Sequence, residues 1–228
     1  MNKNVISQTN DELQYLQLLS KTFPTVADAS TEIINLEAIL NLPKGTEHFL
    51  ADIHGAYESF QHVLKNASGN IKRKVNEIFG NQIREAELRD LCTLIYYPEQ
   101  KLEQIKAVET NLDDWYHITI HQLVKVCRDV SSKYTRSKVR KSLPADFSYI
   151  IQELLHERPD DIDKAGYVNA VVDSMIETDR ADDFIITIAA VIQRLAIDQL
   201  HILGDIYDRG PGAHKIMDML DHYHNWDI

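Results

Sequence analysis

Apolar residues recur at helical spacing over most of the chain. Asp11 to Phe23 is a short amphipathic stretch that Pro24 stops. Val26 to Leu42 carries Ile33, Ile34, Leu36, Ile39 and Leu40 at roughly helical spacing and ends at Pro43-Lys44-Gly45. The period then changes. Thr46 to His54 is short, partly apolar and closed by Gly55, which predicts a buried strand running into a tight turn. Helical spacing resumes over Tyr57–Leu64 and then fills nearly every segment up to residue 196, most clearly in Leu112–Val130, Tyr167–Ile176 and Ala181–Ile197. Gln199 to Asp205 predicts a second strand, Ala213 to Leu220 a further helix, and Trp226 to Ile228 the start of a third strand.

This order predicts an α/β core with a large, mostly α-helical insertion between its first two βα units. The expected organisation is an N-terminal helical segment over 1–45, a first βα unit over 46–66 and a helical insertion over 67–197. A second βα unit and the start of a third strand take 198–228. No helix follows Asp227-Ile228 to close that unit, so the expectation is a truncated core, its remainder beyond residue 228. Two strands alone make a poor free-standing sheet.

Composition narrows the function classes. The chain has 228 residues, 44% of them hydrophobic, which suits one large globular domain or two small ones. The longest largely apolar run, Phe184 to Ile192, is interrupted by Thr187 and too short to span a bilayer. The first twenty residues carry no signal-peptide core. Cys92 and Cys127 match no metal or redox spacing and read as buried thiols of a reducing compartment. The expectation is a soluble, cytoplasmic protein. A formal net charge of −11 argues against nucleic acid or an anionic membrane as partner. It leaves room for a small phosphorylated substrate, because an acidic site that loads divalent cations presents positive charge locally.

The candidate chemistry sits at the two predicted strand ends. Gly204-Asp205-Ile206-Tyr207-Asp208-Arg209-Gly210 delivers two carboxylates and a guanidinium into a glycine-flanked turn. The carboxyl end of a strand in an α/β sheet is where ligands usually sit. Carboxylate oxygens suit hard divalent cations, and Arg suits bidentate phosphate contact. Asp52-Ile53-His54-Gly55 ends the earlier strand, where positions two apart share a side, so Asp52 and His54 are expected to project together. Either element alone is common by chance, and an isolated Asp-x-x-Asp-Arg is more often a turn with surface ion pairs. Two such elements, each after a strand and before a helix, are a specific signal.

The two motifs resemble those of the calcineurin-like metallophosphoesterases, Asp-x-His-Gly and Gly-Asp-x-x-Asp-Arg-Gly, matched by Asp52–Gly55 and Gly204–Gly210. The resemblance implies that Asp52 and His54 hold one metal and that Asp205 bridges two. It implies that Asp208 orients a catalytic His and that Arg209 binds phosphate, making Asp208 and Arg209 the catalytic pair. Residues 55 to 203 separate the motifs, far more than is usual in that superfamily. A helical insertion at this place, together with Lys133-Tyr134-Thr135-Arg136-Ser137-Lys138-Val139-Arg140-Lys141, is similar to the class III fructose-1,6-bisphosphatases of bacteria. That family implies a manganese-dependent two-metal phosphatase converting fructose 1,6-bisphosphate to fructose 6-phosphate in gluconeogenesis. It also implies a third motif with an Asn-His pair and further His ligands, which these residues lack, so the chain alone is expected to be inactive. Other metallophosphoesterase activities, on phosphoproteins or dinucleotide polyphosphates, and a non-catalytic metal-binding module remain as alternatives. Self-association into a homo-oligomer is left open.

Weaker candidates complete the list of groups. The basic stretch Lys133–Lys141 reads as a solvated face, or as a patch receiving a phosphate of substrate or effector. His117 and His121 lie at i, i+4 on a predicted helix, but Ile118 rules out the zinc-protease pattern, which favours a structural role. His222 and His224 read as surface residues, and Tyr207 as a substrate contact or a packing residue.

Overall fold

The structure, a computed structural model, describes residues 3–156, 162–221 and 226–227. Ile228, His222 and His224 lie outside the described residues. Two compact units divide the chain, one up to Pro43 and one from Lys44 onward.

The first unit is a pair of helices, α1 (Lys3–Thr22) and α2 (Val26–Leu40). α1 starts well before the Asp11 expected from spacing, because the polar residues there have no apolar period to announce a helix. Thr25 opens α2 with a capping box. Its hydroxyl accepts from the Asp28 amide at 3.1 Å, and the Asp28 carboxylate accepts from the Thr25 amide at 3.2 Å. Losing such a cap costs about 1 kcal/mol. The helix ends two residues earlier than predicted, where the Asn41 side chain donates back to the Glu37 carbonyl at 2.8 Å. No α2 residue is buried, so Ile33, Ile34, Leu36 and Leu40 remain exposed.

The second unit holds a small parallel sheet and most of the helices. In order these are β1 (Glu47–Ala51), α3 (Tyr57–Asn66), α4 (Asn70–Phe79), α5 (Glu85–Tyr96), α6 (Pro98–Val108) and α7 (Leu112–Ser131). After them come α8 (Arg136–Ser142), α9 (Ser148–His156), α10 (Ile162–Glu177), α11 (Ala181–Ala196), β2 (Gln199–Leu203), α12 (Ala213–Asp221) and β3 (Trp226–Asp227). Every described helix from α3 to α11 falls between β1 and β2 in sequence. α11 is the axis of that assembly. Phe184, Ile185, Ile188 and Ile192 are fully buried on it, at the spacing that lines one helix face. It packs against α7, whose own stripe of Tyr116, Ile120, Leu123, Cys127 and Val130 is buried. Truncating Phe184 to Ala there would cost about 3–5 kcal/mol.

The strand order is β1-β2-β3, all parallel, with Glu47 opposite Gln199 and the register held through Ala51 opposite Leu203. Alternation assigns the faces. His48, Leu200 and Ile202 turn into the core, while Phe49 and Leu203 are exposed and Phe49 stacks on His201 at 4.5 Å. Both strands end before their predicted limits, because Asp52 (φ 52°) and Gly204 (φ 88°) leave the extended region together.

The basic stretch anchors the amino-terminal ends of both strands. Lys133 Nζ donates to Thr46 Oγ1 at 3.0 Å, Tyr134 Oη to the Leu195 carbonyl at 3.0 Å, and Lys138 Nζ pairs with Asp198 Oδ1 at 2.5 Å. The Asp198 amide in turn donates to the Thr46 carbonyl at 3.0 Å. Arg136, Arg140 and Lys141 are exposed. His117 and His121 tie α7 to α10, through Asp173 at 2.9 Å and Asn169 at 3.2 Å. Cys92 and Cys127 are free and buried, and burial pushes the Cys127 thiol up to about 12.

Candidate metal centre

The parallel register carries the two motif loops to the same sheet edge. Past the strands they remain zipped together. The Asp52 amide donates to the Leu203 carbonyl at 3.1 Å and the His54 amide to the Asp205 carbonyl at 2.9 Å. The Gly210 amide donates to the His54 carbonyl at 2.7 Å, and Gly212 to the Gly55 carbonyl at 3.0 Å. Gly55 and Gly210 approach so closely that a Cβ on either would strike the other's backbone. The loops therefore behave as one piece.

Asp52 and His54 do not belong to β1. Each follows it in a left-handed conformation, φ 52° at both, and the buried Ile53 between them leaves the two polar side chains outside the core. Strand alternation is thus not what directs them. Arg209 is left-handed as well, at φ 68°. Left-handed non-glycine residues are costly and cluster where surrounding structure over-determines them, often at functional sites.

His54, Asp205 and Asp208 each present a donor atom, and all three donors lie within 4.8 Å of one another. Among the described residues this is the only group of three or more His, Cys, Asp or Glu so placed. His54 Nδ1 is in direct contact with Asp208 Oδ1, and Arg209 Nε lies 3.2 Å from the other Asp208 oxygen. Those bonds, the His54 one foremost, hold the Asp208 carboxyl below the usual carboxylate range. Asp52 is not in the three-donor group. Its carboxylate lies where a Cβ on Gly204 would sit, beside the backbone that leads into Asp205. One imidazole nitrogen and two carboxylate oxygens, with a further carboxylate beside them, fit a divalent transition ion such as manganese, iron, zinc or cobalt.

The two sequence motifs thus come together at one place. The His that Asp208 holds, among the described residues, is His54. Arg209 keeps a mostly exposed side chain, at 75%, paired through Nε with Asp208. Tyr207 is exposed on the same loop. The packing of Asp52 over Gly204 had no sequence signal beyond the glycine itself.

A family model described as Firmicute fructose-1,6-bisphosphatase matches residues 14–228. The chain belongs to that family. It is 73% identical over 217 residues to a protein of Bacteroides thetaiotaomicron named fructose-1,6-bisphosphatase class 3, covering 95% of this chain and 33% of that protein. Identity to the protein of the same name from Parabacteroides distasonis is 65% over 229 residues, covering 100% of this chain and 34% of the relative. For that of Clostridium botulinum strain Hall it is 60% over 226 residues, covering 99% and 34%. The chain spans about a third of the length of these curated relatives. No solved structure matches it. No described helix is long and apolar enough to cross a membrane.

Proposed function

We propose that this chain carries the first metal-ligand loops of a manganese-dependent phosphatase that hydrolyses fructose 1,6-bisphosphate to fructose 6-phosphate and phosphate. The observation that carries the reading is the convergence of His54, Asp205 and Asp208 at the carboxyl ends of two parallel strands, in a chain of the fructose-1,6-bisphosphatase family. The fold reading that goes with it is a calcineurin-like metallophosphoesterase core interrupted by the α3–α11 insertion.

In this reading Asp52, His54 and Asp205 would hold the divalent ions. Bound divalent ions would supply an activated hydroxide and neutralise phosphoryl charge. The protein's own contribution is positional. The zipped loops fix the separation of His54 from Asp205, and Asp208 holds the His54 ring by Nδ1, which leaves Nε2 as the donor for an ion. Arg209, tethered to Asp208 at its base, turns its guanidinium onto the equatorial phosphoryl oxygens as charge grows there. Water oxygen bonds to phosphorus, the bond from phosphorus to the sugar oxygen breaks, and the proton the water gives up ends on that oxygen, which leaves as the alcohol.

The experiment is phosphate release by the full-length protein with manganese, offering fructose 1,6-bisphosphate beside a phosphopeptide and a dinucleotide polyphosphate. Preference for the sugar bisphosphate, lost in Asp205→Asn, is expected. Hydrolysis of the phosphopeptide alone, or an Asp205→Asn enzyme with the parent's turnover, would overturn the assignment.

A further inference from the structure

At the amino-terminal end of β1, the opposite end from Asp52, lies a cavity of about 450 Å³. Thr46, His48, Ser68, Asn70 and Arg73 contribute its polar lining. His48 is buried and its Nδ1 bonds to Ser68 Oγ at 3.0 Å, while Arg73 Nη2 donates to Asn70 Oδ1 at 2.7 Å. Glu47 also lines the cavity, its carboxylate 3.6 Å from His201 Nε2.

Lys133 stands directly behind Thr46, donating to its hydroxyl at 3.0 Å. Its neighbours are other cations, Arg73, Lys74 and Lys138. Each of those has its own carboxylate: Glu77 for Arg73, Asp129 for Lys74 and Asp198 for Lys138. Lys133 has none among the described residues; Asp198, the carboxylate that acts on it, is engaged by Lys138. Burial foremost, against the pull of Asp198 and with the neighbouring cations adding to it, pushes the Lys133 amine down to about 8. A half-buried ammonium without a counter-ion is costly, and buried charges are ordinarily paired. It is also out of character for a chain of net charge −11.

We propose that this cavity binds a small phosphate-type oxyanion, free or as the phosphoryl group of a small metabolite. Arg73 on the lining, and Lys133 through its contact with the lining residue Thr46, supply positive charge, and Thr46, Ser68 and Asn70 supply hydrogen bonds. The anion provides the counter-charge that Lys133 lacks. Thr46 also receives the Asp198 and Gln199 amides on its carbonyl, at 3.0 and 3.2 Å. Occupancy therefore stiffens the junction from which β1 and β2 run toward the motif loops, which makes the cavity a place for an effector rather than for the reacting phosphate.

The test is thermal unfolding of EDTA-treated protein titrated with inorganic phosphate, and separately with glycerol phosphate, against sodium chloride at matched ionic strength. Chelation keeps the result independent of the metal-centre reading. Either phosphate is expected to raise the melting temperature in a saturable way that chloride does not reproduce, and the two arms distinguish free anion from ester. Arg73→Gln and Lys133→Met should each weaken the half-saturation about tenfold or more, the size of one lost charge-assisted hydrogen bond. Arg73 is 61% exposed, so its variant keeps the fold and carries the test if Lys133→Met does not. Phosphates that act no better than chloride, or variants that respond as the parent does, would overturn the proposal.

Discussion

Replacing Gly204 by Ala tests the closeness of the motif loops. Gly204 has φ +88°, and a Cβ there would fall on Asp52 Oδ1, with the Asp52 amide nitrogen 3.3 Å and Cγ 3.4 Å away. The left-handed backbone alone costs an alanine roughly 1–2 kcal/mol. Swinging the Asp52 carboxylate aside adds about 0.5–1.5 kcal/mol for an off-rotamer side chain. A total of about 1.5–3.5 kcal/mol lowers the melting temperature by roughly 3–14 °C for a protein of this size. Two controls separate the contributions. Gly69 has φ +84° and open space around its Cβ position, so Gly69→Ala should show backbone strain alone and leave manganese binding intact. Gly166 lies inside α10 with nothing within 4 Å of the Cβ position, so Gly166→Ala should gain about 0.5–1 kcal/mol. The assays are thermal unfolding by circular dichroism and calorimetric titration with manganese. Gly204→Ala should be the least stable of the three and the only one with weakened metal binding. A Gly204→Ala protein that melts and binds manganese as Gly69→Ala does would refute the approach of Asp52 to Gly204.

In the full-length protein, under the proposed function, Arg209→Lys keeps the charge but not the planar fork, so kcat/KM on fructose 1,6-bisphosphate should fall about tenfold or more; parental kinetics would remove Arg209 from phosphate binding. Lys133 gives a pH signature. Its folded-state value of about 8 lies below the usual 10.5, so the unfolded chain holds more protons between those values, and the lysine's penalty, full below pH 8, is relieved as pH rises toward 10.5. In urea unfolding without oxyanions, the parent should therefore gain stability relative to Lys133→Met on going from about pH 7 to about pH 10; a relative loss would mean that Lys133 is ion-paired.

Much of the architecture was legible because it is carried by period and punctuation. The α11 stripe and the Pro24, Pro43 and Gly55 stops are local signals, and they survive into the fold. The helix boundaries that shifted, at Lys3 and Leu40, are places where apolar period and backbone hydrogen bonding part company. The site was legible in its residue types but not in its geometry. Strand alternation predicts that Asp52 aligns with His54, whereas both sit beyond the strand at positive φ, directed by hydrogen bonds to a loop distant in sequence. That Asp208 binds His54, and that Lys133 reaches Thr46, depend on contacts of the same kind. No window of sequence contains them. The basic stretch looked like a solvated face because its charge is visible in sequence and the half-burial of Lys133 is not.

The measurement that bears hardest on the metal-centre reading is manganese binding to the parent and to Asp205→Asn by calorimetric titration. Asn keeps the shape of the side chain and removes the charged donor. The expected result is saturable binding by the parent and an affinity lower by about 10–100-fold or more in the variant, a ligand being worth at least what its outer-shell partners are. Superimposable isotherms for the two proteins would contradict the assignment of Asp205 as a metal ligand beside His54.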